Sequence, residues 1–345
     1  MGASEVAFVG ALLFYGVLMG LTTKKAKDEG DVAAFRNNFA CTLVLVGGLL
    51  FAKFVGTFQP ILAYPLDVVV LMFLGIFVPA FAAWAYWESK NPHYDQYSRP
   101  PEGLTMRYEV YRKTTHFVVV GVFLLYFYFG PYFMAKFNEA MALTPQFWGI
   151  SNFGVPPRAF GQYFVVFWVS ISFFGLTTAD LVRILRPNAY PLKKVNRILR
   201  NDELKDKLGP HIAMSIGVLA TVLTIGPYAP KVACAAISIG IFGDAAANLV
   251  GKKIGRHSIR ESKTWEGLLG GAVVSFVSAM AFLIYEELLT VSATGYAASR
   301  AALVAISGTL VFVVVDVLSP SISDNLLNTF VSGIAMAIVT LFIVF

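Results

Sequence analysis

The stretch 243–271 reads GDAAANLVGKKIGRHSIRESKTWEGLLGG and lies between two long apolar segments. Asp244 ends the first segment, and Trp265 opens the second. Between them lie glycines and five cations, which are Lys252, Lys253, Arg256, Arg260 and Lys263. A carboxylate can hold a hard divalent ion, glycines let phosphate oxygens approach backbone N–H groups, and cations neutralise phosphate charge. The pattern therefore indicates a metal–phosphate site, with a helix cap followed by a positively charged loop as the alternative.

The composition is that of a membrane protein. Of the 345 residues, 57% are hydrophobic and 14% are charged, and the mean hydropathy is +0.67. A soluble domain carries about 25% charged residues, so this class is excluded. Most of the residues behind the net charge of +6 lie in loops. The sequence contains no basic patch interleaved with aromatic residues, so we do not expect nucleic-acid binding. Cys41 and Cys234 lie in apolar runs, and we interpret them as packed thiols.

Apolar stretches of about 18–25 residues are long enough to cross a bilayer as helices. We predict an all-α, polytopic integral membrane protein with about ten transmembrane helices. The expected spans are 4–23, 36–56, 66–87, 115–135, 160–182, 210–226, 230–250, 265–288, 300–318 and 326–345. The first apolar run lacks a basic leader and a small-residue cleavage site, so we expect a retained span and not a signal peptide.

Lysines and arginines concentrate in alternate loops. Most of the 27 in the chain face one side if the first span enters from outside, and the positive-inside rule makes that side the cytoplasm. Both termini are therefore expected on the non-cytoplasmic side. The stretch 192–208 also carries an apolar stripe at helical spacing, which predicts a short amphipathic helix on the membrane surface. The stripe consists of Leu192, Val195, Leu199, Leu204 and Leu208.

Further polar groups would reach the same cytoplasmic face. In RYEVYRKTTHF (107–117), one helical face would carry four of them if the helix begins early. These are Glu109, Arg112, Lys113 and His116. The fifth span ends with Asp180 and Arg183, and Arg200 and Glu203 follow in the next loop. An acid–cation pair on a helix surface contributes only a few tenths of a kcal/mol, roughly, which does not explain why four polar side chains of the stretch 107–117 would enter a bilayer. That set therefore indicates a function.

Acids also appear late in the chain. Asp316 interrupts the apolar run VFVVVDVL, and Asp324 and Asn325 open the last span. Asp324 could also serve as a helix N-cap, a position that favours Asp. With Asp244 and Asn248, these residues predict ligands for one or two Mg²⁺ ions on one membrane face. The chemistry implied is phosphoryl or nucleotidyl transfer.

These residues, from about 109 to 333, resemble the CTP-dependent lipid-alcohol kinases. That family includes dolichol kinase, phytol kinase and CTP-type diacylglycerol kinase, and it is related to the phosphatidate cytidylyltransferases. The matches, in chain order, are E-x-x-R-K-x-x-H at 109–116, D-x-x-R at 180–183, L-R-x-x-E at 199–203, G-D-x-x-A…G…G…K-[ST]-x-E-G from 243 to 267, and D-N-L at 324–326. The resemblance divides the chain into an N-terminal transmembrane extension of three spans (1–108) and a kinase-like membrane domain (109–345).

The chain departs from the family pattern at three places. KTWEGLLGG is closer to the cytidylyltransferase version of the motif, Asp316 stands where kinases more often carry Glu, and Ser323 replaces the first acid of the usual acidic pair. The K-D-x-x-x…H-G-G-x-x-D-R ending of the cytidylyltransferases is missing from the sequence. The kinase is therefore the leading interpretation.

The resemblance implies Mg²⁺-dependent transfer of the γ-phosphate of CTP to the hydroxyl of a membrane lipid alcohol, such as polyprenol, dolichol, a phytol-like alcohol or diacylglycerol. Metal binding is assigned to Asp244, Asn248, Asp316, Asp324 and Asn325. Nucleotide binding is assigned to Gly243, Gly251, Lys252, Gly255, Lys263, Thr264, Glu266, Gly267, Arg200 and Glu203. Catalytic roles are assigned to Glu109, Arg112, Lys113, His116, Asp180 and Arg183, with His116 or Asp180 orienting or deprotonating the lipid hydroxyl.

Two alternatives stay open. A cytidylyltransferase would make a CDP-lipid from a phosphorylated lipid and release pyrophosphate. A transporter would need polar residues along a path across the bilayer, whereas the charged residues here crowd one face. The expected partners are a membrane lipid alcohol and a nucleoside triphosphate, without nucleic acid, and a homodimer is left open. Compact loops and the lack of N-x-[ST] sequons favour a prokaryotic cell membrane over the endoplasmic reticulum.

Overall fold

A computed structural model describes residues 2–56, 60–90, 110, 120–199, 203–260, 263–290, 295–318 and 321–344. These residues are almost entirely helical. The chain divides into two compact units, Met1–Leu219 and Ala220–Phe345. The boundary predicted between 108 and 109 lies outside the described residues, within the range of the first unit, and it stays a prediction.

The described part of the first unit is built mainly from helices. They are α1 (Ala3–Asp28), α2 (Val32–Leu50), α3 (Leu66–Lys90), α4 (Val120–Leu124), α5 (Gly130–Leu143), α6 (Pro145–Trp148) and α7 (Pro157–Leu185), and α8 (Pro210–Thr224) starts in this unit. Single π-helical turns, Phe51–Val55 and Leu125–Phe129, extend α2 and join α4 to α5. Proline at the start of α5, α6 and α7 suits the first helical turn, where no N–H partner is needed.

Aromatic rings pack α1 against α7. Phe8 and Tyr15 of α1 meet Phe174 of α7 edge-on, with ring centroids 6.5 and 4.9 Å apart. Edge-to-face pairs of this kind add about 0.5–1.5 kcal/mol beyond the area they bury. Helix α7 also packs against α3 and α5, and α1 packs against α2. The long apolar helices of this unit therefore share a core centred on α7.

The second unit is a bundle of helices with one small hairpin. Its elements are α9 (Pro230–Ser238), a π-turn (Ile239–Gly243), α10 (Asp244–Ile254), β1 (Ser258–Arg260), β2 (Lys263–Thr264), α11 (Trp265–Thr290), α12 (Gly295–Leu318) and α13 (Asp324–Val344). The strands pair antiparallel, with Ser258 opposite Thr264. This hairpin departs from the all-α prediction. Small residues such as Ala236, Ala279 and Ala305 are fully buried in the core and allow close helix packing.

Nine described helical segments are long and apolar enough to cross a membrane, which is compatible with an integral multi-pass membrane protein. The segments are Ala3–Asp28, Val32–Val55, Leu66–Lys90, Val120–Leu143, Ala159–Leu185, Pro230–Ile254, Trp265–Tyr285, Ala298–Leu318 and Asp324–Ile343. The sixth predicted span, 210–226, corresponds to α8, which has only 15 residues. At 1.5 Å per residue it is about 22 Å long, short of a hydrocarbon core of about 30 Å. Orientation in the membrane stays a prediction.

The amphipathic helix predicted at 192–208 is not found in its described residues. Pro187–Ala189 and Lys193–Ile198 are 3-10 helices, and no α-helix forms over 203–209. Leu199 and Leu208 of the expected membrane-facing stripe are each only 1% exposed. The prediction was wrong because four carbonyls of this segment, those of residues 203, 204, 205 and 207, bind a buried arginine instead of continuing a helix, as described below.

Candidate functional site

Four charged side chains of the second unit form what we call the acid–lysine cluster, consisting of Asp244, Lys263, Asp316 and Asp324. The ammonium of Lys263 donates a hydrogen bond to Asp316 Oδ1, and Lys263 Nζ lies 4.0 Å from Asp324 Oδ2. Asp244 interacts electrostatically with both Lys263 and Asp316. The structure therefore brings together three predicted metal ligands and one predicted nucleotide-binding lysine.

Helix ends position the three acids of the cluster, and a strand positions the lysine. Asp244 is the first residue of α10 and Asp324 the first residue of α13, while Asp316 lies near the end of α12. Lys263 reaches the carboxylates from β2. The π-turn Ile239–Gly243 directly precedes Asp244, and such turns occur frequently at functional sites. We did not predict this turn from the sequence.

The carboxylates keep Lys263 charged. Burial lowers the pKa of Lys263, but Asp324 and Asp316 outweigh burial and raise the pKa above its usual value. The cluster contains three acidic side chains and one cationic side chain, so it offers more carboxyl groups than Lys263 can pair with. A divalent cation would balance that excess.

Two asparagines lie beside these acids. Asn248 Nδ2 donates to Asp244 Oδ1 at 2.7 Å and to the Asp244 carbonyl at 2.9 Å, which fixes the carboxylate from the next turn of α10. Asp324 Oδ1 accepts the backbone N–H of Asn325 at 3.0 Å, so Asp324 also has a local contact at the helix start. The metal-binding roles of both asparagines stay predictions.

The predicted nucleotide-binding glycines lie where α10 and α11 approach each other. A Cβ added to Gly255 would lie 2.2 Å from the carbonyl oxygen of Gly251. A Cβ added to Gly267 would lie 2.7 Å from the carbonyl oxygen of Ala247. Thr264 Oγ1 accepts the Gly267 N–H at 3.2 Å and caps the start of α11. Close packing of α10 against α11 thus already requires Gly267, and the tight end of α10 requires Gly255. A phosphate-binding role for these glycines stays a prediction.

Glu266 fastens the loop before it to the start of α11. Its Oε2 accepts the backbone N–H groups of Arg256 and His257 at 3.1 and 3.3 Å. Its Oε1 lies 2.5 Å from His257 Nδ1. Both carboxylate oxygens therefore position the cationic loop, and the nucleotide contact assigned to Glu266 stays a prediction. Lys252, another predicted nucleotide ligand, is exposed in the last turn of α10.

In the first unit, Asp180 and Arg183 form the centre of a second polar group, which we call the buried arginine network. Arg183 Nε donates to Asp180 Oδ1 at 2.6 Å. The rest of the guanidinium donates to backbone carbonyls, and the shortest contacts reach those of Glu203 and Lys207, both at 2.8 Å. Asp180 Oδ2 accepts the N–H of Gly209 at 2.9 Å. This geometry favours a structural role for the pair, and its catalytic role stays a prediction.

Helices α1 and α2 also hold the segment 203–209. Asn38, fully buried in α2, donates to the Asp206 carbonyl at 2.7 Å and accepts the Leu208 N–H at 2.8 Å. Lys25 of α1 pairs with Asp206 Oδ1 at 2.6 Å. We assigned no role to these residues from the sequence. The available signal was a pair of asparagines, Asn37 and Asn38, in an otherwise apolar helix.

Several predicted site residues cannot be placed. Glu109, Arg112, Lys113, His116 and Arg200 lie outside the described residues. Glu203 is described and buried, and its backbone carbonyl is the part that meets Arg183. Gly243 packs against Ser275, because an added Cβ would lie 2.0 Å from Ser275 Oγ.

The donor atoms suit Mg²⁺, although no preformed cage is seen. Within the described ranges, no group of three or more His, Cys, Asp or Glu side chains is arranged to hold a metal ion. Mg²⁺ prefers oxygen ligands and, in nucleotide sites, binds one or two carboxylates together with substrate phosphates. Asp244 and Asp324 can supply such carboxylates. The residues therefore fit a metal that arrives with a nucleotide.

No family model, curated protein or solved structure matches this chain. The described residues define an almost entirely α-helical protein with helices suited to a membrane. Its second unit gathers an acid–lysine cluster at helix ends.

Proposed function

We propose that the chain is a CTP-dependent lipid-alcohol kinase, transferring the γ-phosphate of CTP to the hydroxyl of a membrane lipid alcohol. The observation that carries the proposal is the acid–lysine cluster, where the Lys263 ammonium pairs with Asp316 and Asp324 and interacts electrostatically with Asp244, near the ends of apolar helices. Charged groups are costly in such helices and are usually functional. The resemblance described above supplies the nucleotide and the class of acceptor.

In this proposal the cluster binds the triphosphate through its metal. Asp244 and Asp324 would hold Mg²⁺, which supplies neutralisation of phosphate charge when bound. Lys263 would bind phosphate oxygens from β2, since its ammonium is held in its charged form. Glu266 would act by holding the loop that carries Lys263. His116 would orient or deprotonate the lipid hydroxyl, and Arg112 and Lys113 would bind phosphate charge. The structural role favoured above replaces the catalytic roles predicted for Asp180 and Arg183, because both side chains already have partners.

The proposal also places the reaction in the cell. The positive loops predict that the cluster faces the cytoplasm, where nucleotides are available. A prokaryotic cell membrane is the proposed location. The acceptor would come from the bilayer, as a polyprenol, a dolichol, a phytol-like alcohol or diacylglycerol.

The decisive test incubates the purified full-length protein with γ-labelled CTP, Mg²⁺ and a panel of polyprenol, geranylgeraniol, phytol and diacylglycerol in detergent. We expect label in one organic-phase product and release of CDP. Chelation of Mg²⁺ should abolish the transfer. Absence of lipid label with every alcohol would overturn the proposal.

A cytidylyltransferase is the second candidate, and one specific observation favours it. The sequence KTWEGLLGG, in which Thr264 caps α11, is closer to the motif of that family. Such an enzyme would use phosphatidic acid or a polyprenyl phosphate and release pyrophosphate. Supplying these phosphorylated lipids with α-labelled CTP distinguishes the two reactions, because only the cytidylyltransferase transfers the α-phosphate to lipid.

A further inference from the structure

Asn328 of α13 is buried, and its side chain has no hydrogen-bond partner among the residues that the structure describes. The residue is only 1% exposed, and neither its Oδ1 nor its Nδ2 forms a hydrogen bond with any described residue. The neighbouring Thr329 and Ser332 instead donate to the carbonyls of Asn325 and Gly308, at 3.0 and 3.1 Å. A buried amide with both ends unpaired costs free energy and is rare in folded proteins. This side chain therefore indicates a bound molecule.

Asn328 lies one helical turn below the acid–lysine cluster. It follows Asp324 by four residues on the same helix, which places the two on one helix face and about 6 Å apart along the helix axis. Ser332, a further turn along this face, bonds to Gly308 of α12. Asp324 at the other end of the face approaches Lys263, which also bonds Asp316 of α12. The Asn328 amide is thus placed deeper in the second unit than the proposed nucleotide site, on the same side of α13.

The hydrogen-bonding atoms of the Asn328 amide determine which chemical groups could bind it. The asparagine oxygen accepts a hydrogen bond, and its nitrogen donates two. A cation would satisfy the oxygen only, and a phosphate dianion would satisfy the nitrogen only. An alcohol hydroxyl donates and accepts, so it can use both ends.

We propose that Asn328 binds the hydroxyl group of the lipid alcohol, one turn from the cluster that receives CTP. The inference rests on the proposed function and names a residue for the acceptor subsite. It also favours the kinase over the cytidylyltransferase, because a fully ionised phosphorylated lipid has no hydroxyl proton to donate to Oδ1. Asn328 was not among the site residues predicted from the sequence.

Thermal unfolding of the full chain in detergent tests the proposal without nucleotide. The probes are geranylgeraniol and the matched hydrocarbon that lacks the hydroxyl. We expect the alcohol to raise the melting midpoint of the wild-type protein, since a ligand that binds only the folded state stabilises it. The hydrocarbon should produce a smaller rise. In N328L the two probes should give equal shifts.

N328L also separates binding from a structural role. Replacing an unpaired buried amide with a side chain of similar size should leave the melting midpoint of the lipid-free protein unchanged or higher. The matched control is Thr340→Val, which also removes a polar group from α13. The Thr340 hydroxyl donates to the Met336 carbonyl at 2.8 Å and lies about four turns away from Asp324. This variant should keep the difference between alcohol and hydrocarbon.

Two results would overturn the hydroxyl site. One is an undiminished alcohol-specific shift in N328L. The other is a lipid-free N328L that melts several degrees lower, which would mean that the amide holds a structural water. In the CTP assay, the Michaelis constant for the alcohol should rise at least about tenfold in N328L, with that for CTP unchanged. If the alcohol raised the melting midpoint more than the hydrocarbon did, but no label passed from CTP to the alcohol, the proposed kinase activity would be wrong and the hydroxyl site would still be supported.

Discussion

The two units use buried acids and cations in opposite ways. In the buried arginine network, the guanidinium of Arg183 is matched by Asp180 and by backbone carbonyls of the segment 203–209. In the acid–lysine cluster, one ammonium faces three carboxylates. The first arrangement is balanced in charge and in hydrogen bonds, so it needs nothing further. The second contains three acids and one cation, and a surplus of acidic side chains is the property expected of a cation site.

This difference separates residues that look equivalent in sequence. D-x-x-R at 180–183 and the G-D motif at 243–244 both place an acid at the end of an apolar segment. Only the tertiary contacts distinguish the two acids. Asp180 is paired with Arg183, whereas Asp244 belongs to the acid–lysine cluster, in which acids outnumber cations. The contrast predicts loss of stability when the first is changed and loss of activity when the second is changed.

The largest effect should come from Arg183→Leu. Removing one partner of a buried pair leaves Asp180 uncompensated and costs about 3–5 kcal/mol of folding free energy. Thermal unfolding in detergent measures this loss, and the exposed Arg36, changed to Leu, provides the control. An R183L protein that melted like wild type but lost phosphoryl transfer would contradict the structural role and support the catalytic one.

Asp244→Asn should act on chemistry instead. We expect kcat/KM for lipid phosphorylation to fall at least about 100-fold, equivalent to about 2.7 kcal/mol of transition-state stabilisation. The melting midpoint without nucleotide should change little, because Asn keeps the shape and can still contact Asn248. Asp28→Asn, an exposed acid in α1, serves as the control. Near wild-type turnover of D244N at saturating Mg²⁺ would remove Asp244 from the site.

Asn38→Ala should loosen the segment 203–209 in the first unit. The change removes the bonds to Asp206 and Leu208 and leaves buried backbone groups unpaired, which costs about 1–3 kcal/mol. Trypsin should then cut after Lys205 faster than in wild type, as followed by mass spectrometry. The exposed Asn188, changed to Ala, should leave the cleavage rate unaltered. Equal rates for N38A and wild type would show that α2 does not hold the segment.

Asp206→Asn tests the pH dependence of the same segment. Burial raises the pKa of Asp206, but the hydrogen bond from Lys25 outweighs burial and lowers the pKa below 3.8, the usual value. Because the folded-state pKa is the lower one, the ion pair stabilises above the unfolded-state pKa, and this stability is lost as the pH falls through the folded-state pKa. We expect D206N to cost about 1.5 kcal/mol at pH 7. Unfolding midpoints should converge with wild type as the pH is lowered below 3.8, and a constant gap would contradict the pairing.

The smallest effect should come from Glu139→Gln. Its pair with Lys136, at 3.0 Å on the exposed surface of α5, is unlike both buried groups. Exposed ion pairs contribute about 0.2–1 kcal/mol, and salt screens them. We expect a melting shift of about 1 °C or less and unchanged activity. A large loss would show that charge pairs matter in this protein wherever they lie, and the contrast between the two units would lose its meaning.

Most helices could be predicted because a bilayer imposes their length. The predicted span 66–87 corresponds to Leu66–Lys90, and 160–182 lies within Pro157–Leu185. The acids and the lysine of the acid–lysine cluster could also be selected from the sequence, since ionisable residues stand out in apolar segments. The helix α8 was predicted as the span 210–226, but its short length was not. The 3-10 turns and the hairpin could not be selected in this way, because apolar content does not fix how a connecting segment folds.

The sequence by itself determined that the protein is almost entirely α-helical and where most of its apolar helices lie, and it predicted which polar residues suit metal–phosphate chemistry. Tertiary structure decided which of those residues meet. Arg183 is occupied by the carbonyls of a distant segment, Glu266 is occupied by the loop it fastens, and Asn328 is left without a described partner. The physical reason is that a polar group's role depends on whether the fold satisfies its charge and hydrogen bonds, and those partners come from residues far away in the chain.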